Sequence, residues 1–263
     1  MKNTLILLTT LFLYISCLSQ NRSGLIIYDI KYPNENISAK SVETKLFFND
    51  TLSIGVSYST KFYSQNKIGI NQENEGIGMT FKYGDYKGEM IYRNFNKEKI
   101  ILRFPKSAAL DEYTVNDTWI KIPWEIKEEV RKIGSFNCKK ATGEFRGRFY
   151  TAWFTEEIPL PYGPFKLYGL PGLILQAEDS EKMFSVNMKS IEYPTNQEFE
   201  ITEPVEKERK NIKEHVYAQD HIEDILLEKL NSKMPRGVSF SKNLSKKDTK
   251  RVYKIEKLFE WEN

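Results

Sequence analysis

Residues 137–144, NCKKATGE, and 148–154, RFYTAWF, are two strand-like runs joined at Arg146-Gly147. A glycine turn between two short alternating runs is a hairpin signal, and hairpins build antiparallel sheet without crossover connections. Strand geometry places Arg148, Tyr150 and Ala152 on one face and Phe149, Thr151 and Trp153 on the other. Downstream, residues 155–164 carry Pro159, Pro161 and Pro164 and read as an irregular connection. It leads into Gly169-Leu170-Pro171-Gly172-Leu173-Ile174, where Pro171-Gly172 reads as a type II turn with the positive φ at Gly172. Gly169, lacking a Cβ, is expected to admit a close backbone. Leu173 to Glu178 and Met183 to Ile191, around a turn at Asp179-Ser180, form a further pair.

Upstream the same period of two recurs. Ile26, Tyr28, Ile30 and Tyr32 share a face, and Asn49-Asp50-Thr51 separates two more runs at 46–48 and 54–58. A polar separator at 65–75 precedes alternating runs containing Phe81, Met90, Tyr92, Ile100, Leu102 and Phe104. Trp119 to Ile126 is apolar but interrupted by Pro123, which suits a sheet edge or bend. One stretch, Gln219 to Asn231, shows a helical stripe of Ile222, Ile225, Leu226 and Leu230. The expected fold is therefore mostly β with one late helix, a curved antiparallel sheet or partial barrel in a single domain. Its expected organisation is a signal peptide at 1–19, a β domain at 20–191, a charged linker at 192–213, an amphipathic helix at 214–231 and a basic tail at 232–263.

Lys2 followed by the apolar run Thr4 to Ile15 is a secretory signal, too short to span a bilayer comfortably. Cleavage is expected after Ser19, opening the mature chain at Gln20. Acylation of Cys17 is the competing reading, and Tyr14 departs from the small or aliphatic residue that such signals carry. The mature chain then keeps only Cys138, so no intramolecular disulfide forms, and the thiol is expected to be a buried small hydrophobe. Residues 232–257 hold nine Lys/Arg against Asp248 and Glu256. That basic tail on a mildly acidic body suits an anionic surface or the body itself.

Trp124, the segment Gly134 to Ala141, Phe145 to Thr155 (FRGRFYTAWFT), Ile158-Pro159, Gly163-Pro164 and the motif Gly169 to Ile174 follow one another in a recognisable order. In this the chain resembles the GLPGLI family of secreted Gram-negative bacterial proteins, over roughly residues 24–191. At the end it departs: Tyr253-Lys254-Ile255-Glu256-Lys257 stands where family members often carry Asn-Pro-Ile-Glu-Leu. The resemblance implies export and a shared fold, and it brings no catalytic residue.

Enzymatic constellations are absent from the sequence pattern. His215 and His221 are six apart, not the four of a helical zinc pair, and no Cys-x-x-Cys or glycine-rich phosphate loop exists. Adjacent carboxylates at Glu156-Glu157 and Glu178-Asp179 splay to opposite strand faces, whereas acid–base pairs must converge. No catalytic residue, metal ligand or cofactor is therefore expected. The candidate binding residues are Arg146, Arg148, Tyr150, Trp153 and Trp124, since arginine beside aromatics grips carboxylates or planar ligands. The competing reading makes one face core and leaves the arginines solvated or paired with Glu156 and Glu157. Gly169 to Ile174 is expected to serve structure, as a turn seating a buried strand. The expected function is a non-enzymatic envelope protein taking an apolar or peptide ligand, or docking an outer-membrane partner, with peripheral membrane contact through the tail and no nucleic acid. The rival is a secreted hydrolase whose site assembles only in three dimensions.

Overall fold

The computed structural model describes residues 22–32, 41–58, 66–68, 79–81, 85–234, 236, 251 and 254–262. The signal segment, Cys17 and most of the polar stretch 65–75 lie outside the described residues. Fourteen strands are β1 (Gly24–Lys31), β2 (Val42–Phe48), β3 (Leu52–Ser57), β4 (Asn66–Ile68), β5 (Met79–Phe81), β6 (Glu89–Asn94), β7 (Lys99–Phe104), β8 (Tyr113–Asp117), β9 (Glu125–Ile133), β10 (Phe136–Phe145), β11 (Arg148–Thr155), β12 (Leu173–Asp179), β13 (Ser185–Glu192) and β14 (Glu208–Asn211). Two helices follow, α1 (Ile212–Asp220) and α2 (Ile222–Asn231).

Twelve strands make one open, curved sheet in the order β14-β8-β7-β6-β3-β2-β1-β13-β12-β11-β10-β9, while β4 and β5 pair separately. Two meanders meet at its middle: β1 to β8 step outward one way and β9 to β13 return from the other, joining where β1 lies antiparallel to β13. Every pair in the large sheet is antiparallel except β14 with β8.

Alternation sorts the faces as the sequence predicts. Ile26, Tyr28 and Ile30 of β1 are fully buried, as are Tyr150, Ala152 and Phe154 of β11. Their inner face forms a core with Leu173, Leu175, Ala177, Phe184 and Val186. Toward the other end the inner face is covered by Ile212 and Val216 of α1 and by Phe259 near the chain end. On the outer face Ile54, Val56, Tyr92 and Ile101 pack under Phe199 and Ile201. The irregular segment after β13 thus caps one patch of the sheet's back.

Four expectations need correction. The segment 192–213, expected as a linker, buries Thr195 and Ile201, contains β14 and begins α1. Backbone pairing with Tyr113 to Asn116 recruits β14, and backbone hydrogen bonds ignore the charge of GluArgLysAsn. The single expected helix is two, broken at His221, and the first starts earlier. Asn211 and Glu214 form a reciprocal capping box, with Glu214 N–H donating to Asn211 Oδ1 at 3.0 Å and Asn211 N–H to Glu214 Oε2 at 2.8 Å. That Asn-x-x-Glu signal was readable in the sequence. β9 was not expected, because EIKEEVRKI is mostly exposed on both faces. It is the sheet's edge, where charge guards unpaired backbone against other chains.

The last correction concerns the corner. Gly169 carries the positive φ, +94°, and has open space where a Cβ would sit. Gly172 has no left-handed φ, and a Cβ there would lie 2.1 Å from the Thr155 carbonyl oxygen. Close approach and backbone freedom are assigned to the opposite glycines.

Candidate functional site

The β10–β11 turn is a two-residue loop between paired Phe145 and Arg148, with φ of 45° at Arg146 and 76° at Gly147. Left-handed values at both positions define a type I′ turn, whose twist matches the strands it joins. The C-terminal segment crosses this turn. Lys257 N–H donates to the Arg146 carbonyl at 2.9 Å, and a Cβ on Gly147 would press on Leu258 and Lys257 at 3.0–3.1 Å.

Both turn arginines point inward and hold that segment. Arg146 donates from Nη2 to Asp117 Oδ1 at 2.7 Å, from Nε to Glu260 Oε1 at 2.9 Å and from Nη1 to Glu256 Oε1 at 2.5 Å. Lys166 joins them, with Nζ 2.6 Å from Asp117 and 2.7 Å from Glu256. The Asp117 and Arg146 side chains are 1% and 2% exposed, so water screens this cluster little. Burial opposes ionisation of Asp117, but Lys166 and Arg146 outweigh it and hold the carboxyl at about 2. Arg148 pairs with buried Asp179 and donates to the backbone carbonyls of Lys254 at 2.7 Å and Ile255 at 2.9 Å. Two basic residues of the tail are also engaged: Arg251 pairs with Asp220 at 2.5 Å and Lys257 with Glu181 at 2.5 Å.

The five candidate binding residues therefore do not converge. Arg146 and Arg148 are buried against the chain's own carboxylates and tail, and their partners are not Glu156 and Glu157. Tyr150 is buried on the same face, its hydroxyl without a hydrogen bond. Trp153 faces outward, where Arg131 stacks 3.9 Å from its ring centre. Trp124 sits under the corner and donates from Nε1 to the Tyr168 carbonyl at 2.8 Å. Cys138 is fully buried, and burial pushes its thiol up to about 11. His215 stacks on Phe104 with ring centres 4.5 Å apart and meets the Tyr113 hydroxyl at 3.1 Å. Burial, aided by Lys166, lowers it to about 4, so it is neutral at pH 7.

Two clefts remain. The inner one lies over β1, β2, β3 and β6 and is closed by Gly163, Pro164 and Phe165, just before the corner. Its polar residues were missed in the sequence because they are spread over β2, β3, β6 and the end of β1. Tyr32 hydrogen-bonds to Ser57 and Thr44, whose hydroxyls are 2.7 Å apart, and Glu89 and Arg93 share one face of β6. Free space inside amounts to about 10 Å3, room for one water. Burial pushes the Glu89 carboxyl up to about 7, against the pull of Lys166. The folded protein then keeps a proton that an unfolded glutamate releases near pH 4.3. Stability is therefore expected to fall as pH rises from about 4.5 to 7 through this group, and Glu89→Gln should remove that slope. Denaturant unfolding of both proteins at pH 5 and 7.5 measures it. Equal pH dependence in the two would contradict the assignment.

The outer cleft has a volume of about 410 Å3. Phe47, Ile54, Val56, Met90 and Phe199 give it an apolar floor, and residues 200–206 form its rim. Arg103 at the rim is saturated, donating to Glu206 at 2.6 Å, to Asp85 at 2.5 Å and to the Gly88 carbonyl at 2.6 Å. Lys99 and Arg209 both bind Glu203. With Lys87, Arg103, Glu203 and Glu206 paired, this cleft offers a newcomer mainly apolar contact.

A model for a family described as "Protein of unknown function (Porph_ging)" matches residues 146–176. That stretch runs from Arg146, which clasps the C-terminal segment, through the cover of the inner cleft and the corner into β12. No curated protein is similar enough in sequence to count as a relative. Two solved crystal forms of PNGF-II are similar in fold at 14% identity, covering 78% of this chain. The form in space group C2 has a TM-score of 0.50 with 32% of that chain covered. The P21 form has 0.49 with 33%. This chain thus spans about a third of the length of those proteins, and the likeness extends to fold alone.

Proposed function

We propose that this chain is an exported, non-catalytic envelope protein of the GLPGLI type, and that its outer cleft receives an apolar or peptide-like ligand. The observation carrying this reading is the cleft of about 410 Å3 with an aromatic and aliphatic floor. Ligand pockets typically measure about 300–1,000 Å3 and are lined mainly by apolar side chains. Glu203 and Glu206 of the rim are already paired, so apolar contact supplies the affinity and backbone groups of the 200–206 rim supply direction. Partner docking on the envelope would use the same surface. Export supports it through the leader at 1–19, and amino-terminal sequencing of the periplasmic protein should read from Gln20; a blocked Cys17 would mean a lipid anchor instead.

The hydrolase alternative finds its best support at Glu89, close to Tyr32, Ser57 and Thr44. Room for one water leaves no place there for a substrate.

Titration with the apolar fluorophore 8-anilinonaphthalene-1-sulfonate tests the cleft. Met90→Asp, at a partly buried floor position, should weaken dye binding at least about tenfold, since a buried unpaired carboxylate opposes apolar contact. Phe149→Asp, at an exposed aromatic far along the sheet, should leave it unchanged. Equal binding by wild type and Met90→Asp would sink the assignment.

A further inference from the structure

Residues 199–203 run extended over the back of the sheet. Ile201 is buried and Phe199 and Glu203 are half-buried, while Glu200 and Thr202 between them are exposed, the alternation of a strand. The run is held firmly. Phe199 lies against Phe47 with ring centres 5.1 Å apart, and Ile201 packs with Ile54, Val56, Tyr92 and Ile101. Glu203 binds Lys99 at 2.6 Å, and Glu206 just beyond binds Arg103 at 2.6 Å. Yet this strand-like run has no strand partner. Among the described residues, 199–203 make no backbone–backbone hydrogen bond.

With side chains pointing to and from the sheet, the N–H and C=O groups of an extended run point sideways along its two edges. Such an edge is where an extended peptide adds as a new strand. Pro204 has no N–H and ends the usable edge. Beside it lies the apolar floor of Phe47, Ile54, Val56 and Met90. A peptide laid there turns alternate side chains onto that floor and the others to solvent. Pairing of Lys87, Arg103, Glu203 and Glu206 leaves Glu200 as the lining charge without an ion pair among the described residues. Its side chain is on the solvent side, where opposite charges on neighbouring strands attract.

Building on the reading of the outer cleft as a ligand site, we propose that its ligand is an extended peptide of alternating apolar and basic residues, paired through its backbone with residues 199–203. The apolar side chains fill the cleft and a basic one meets Glu200. Because the template is already fixed, little ordering of the protein opposes binding.

Fluorescein-labelled Leu-Lys-Leu-Lys-Leu, titrated into the whole mature protein and followed by fluorescence polarisation, provides the test. It should bind wild type, and Met90→Asp at least about tenfold more weakly. Of two versions N-methylated at odd or at even residues, one should bind about tenfold more weakly, having lost the donors that face 199–203, and the other as the parent does. Glutamate in place of both lysines should weaken binding to wild type by about threefold to fivefold at low salt, and Glu200→Lys, at an exposed position, should invert that preference. Equal binding by the two methylated peptides would overturn the proposal, as would a preference for lysine unchanged in Glu200→Lys. Met90-dependent dye binding without peptide binding would overturn it too, while leaving the apolar cleft standing. Loss of both would remove the cleft as a ligand site.

Discussion

Replacing Arg146 by alanine is expected to destabilise the protein by about 3–5 kcal/mol, because it leaves buried carboxylates without their counter-charge. Asp117 is the most affected, being 1% exposed and shared between Arg146 and Lys166. Glu256 and Glu260 lose the same partner, and both belong to the C-terminal segment. Unfolding should therefore be accompanied by early release of that segment, seen as rapid tryptic cleavage at Lys254 and Lys257 in the native buffer. Arg146→Lys should recover part of the loss, since it restores a charge but not a fork reaching three carboxylates at once. The pH dependence carries the sign. The folded Asp117 titrates near 2 and an unfolded aspartate near 3.9, so between those values only the unfolded chain binds the proton. The clasp's contribution is complete above about pH 5 and fades as pH falls toward 2. An Arg146→Ala protein as stable as wild type, with its tail still protected, would show that the cluster holds nothing together.

Gly172→Ala is the second large effect. A Cβ there would lie 2.1 Å from the Thr155 oxygen and 2.7 Å from its carbonyl carbon, both backbone atoms of β11. No rotamer relieves a clash with backbone, so the corner must move off the strand it seats. Leu173 and Ile174, fully buried, would move with it, and so would the Ile174 carbonyl that accepts from the Tyr28 hydroxyl at 2.6 Å. Overpacking of this kind costs about 3 kcal/mol or more, a fall in Tm of about 6–12 °C for a chain this size. Gly169→Ala, by contrast, meets no atom and pays only for its left-handed φ, about 1–2 kcal/mol. Calorimetry of the two variants separates the roles. Reversal of their order would return the close approach to Gly169.

Much of the architecture was legible because strand alternation is a local property. Ile26-Tyr28-Ile30 and Arg148-Tyr150-Ala152 each show the period of two that the sheet then buries. The hairpin joined at Arg146-Gly147 was legible for the same reason, though its turn type was not. β9 was not, since nothing apolar marks an edge strand whose two faces meet solvent. β14 was hidden in a charged run, because its pairing with β8 rests mainly on backbone hydrogen bonds.

The candidate site was less legible. Alternation placed Arg148 beside Tyr150 on one face, and that placement stands. What lies opposite is a backbone segment 106 residues further on. Local pattern holds no information about a partner at that distance.

By itself, then, the sequence determined the half-buried strands, their facing and the tight turn between β10 and β11, all set by φ, ψ and period within a few residues. Only the tertiary structure decided which glycine of the corner bends and which one admits a neighbour, what the turn arginines hold, and that Arg93 is fully buried. Those outcomes depend on atoms brought together from distant strands, where carbonyl clashes and desolvated charges act across space and leave no periodic trace along the chain.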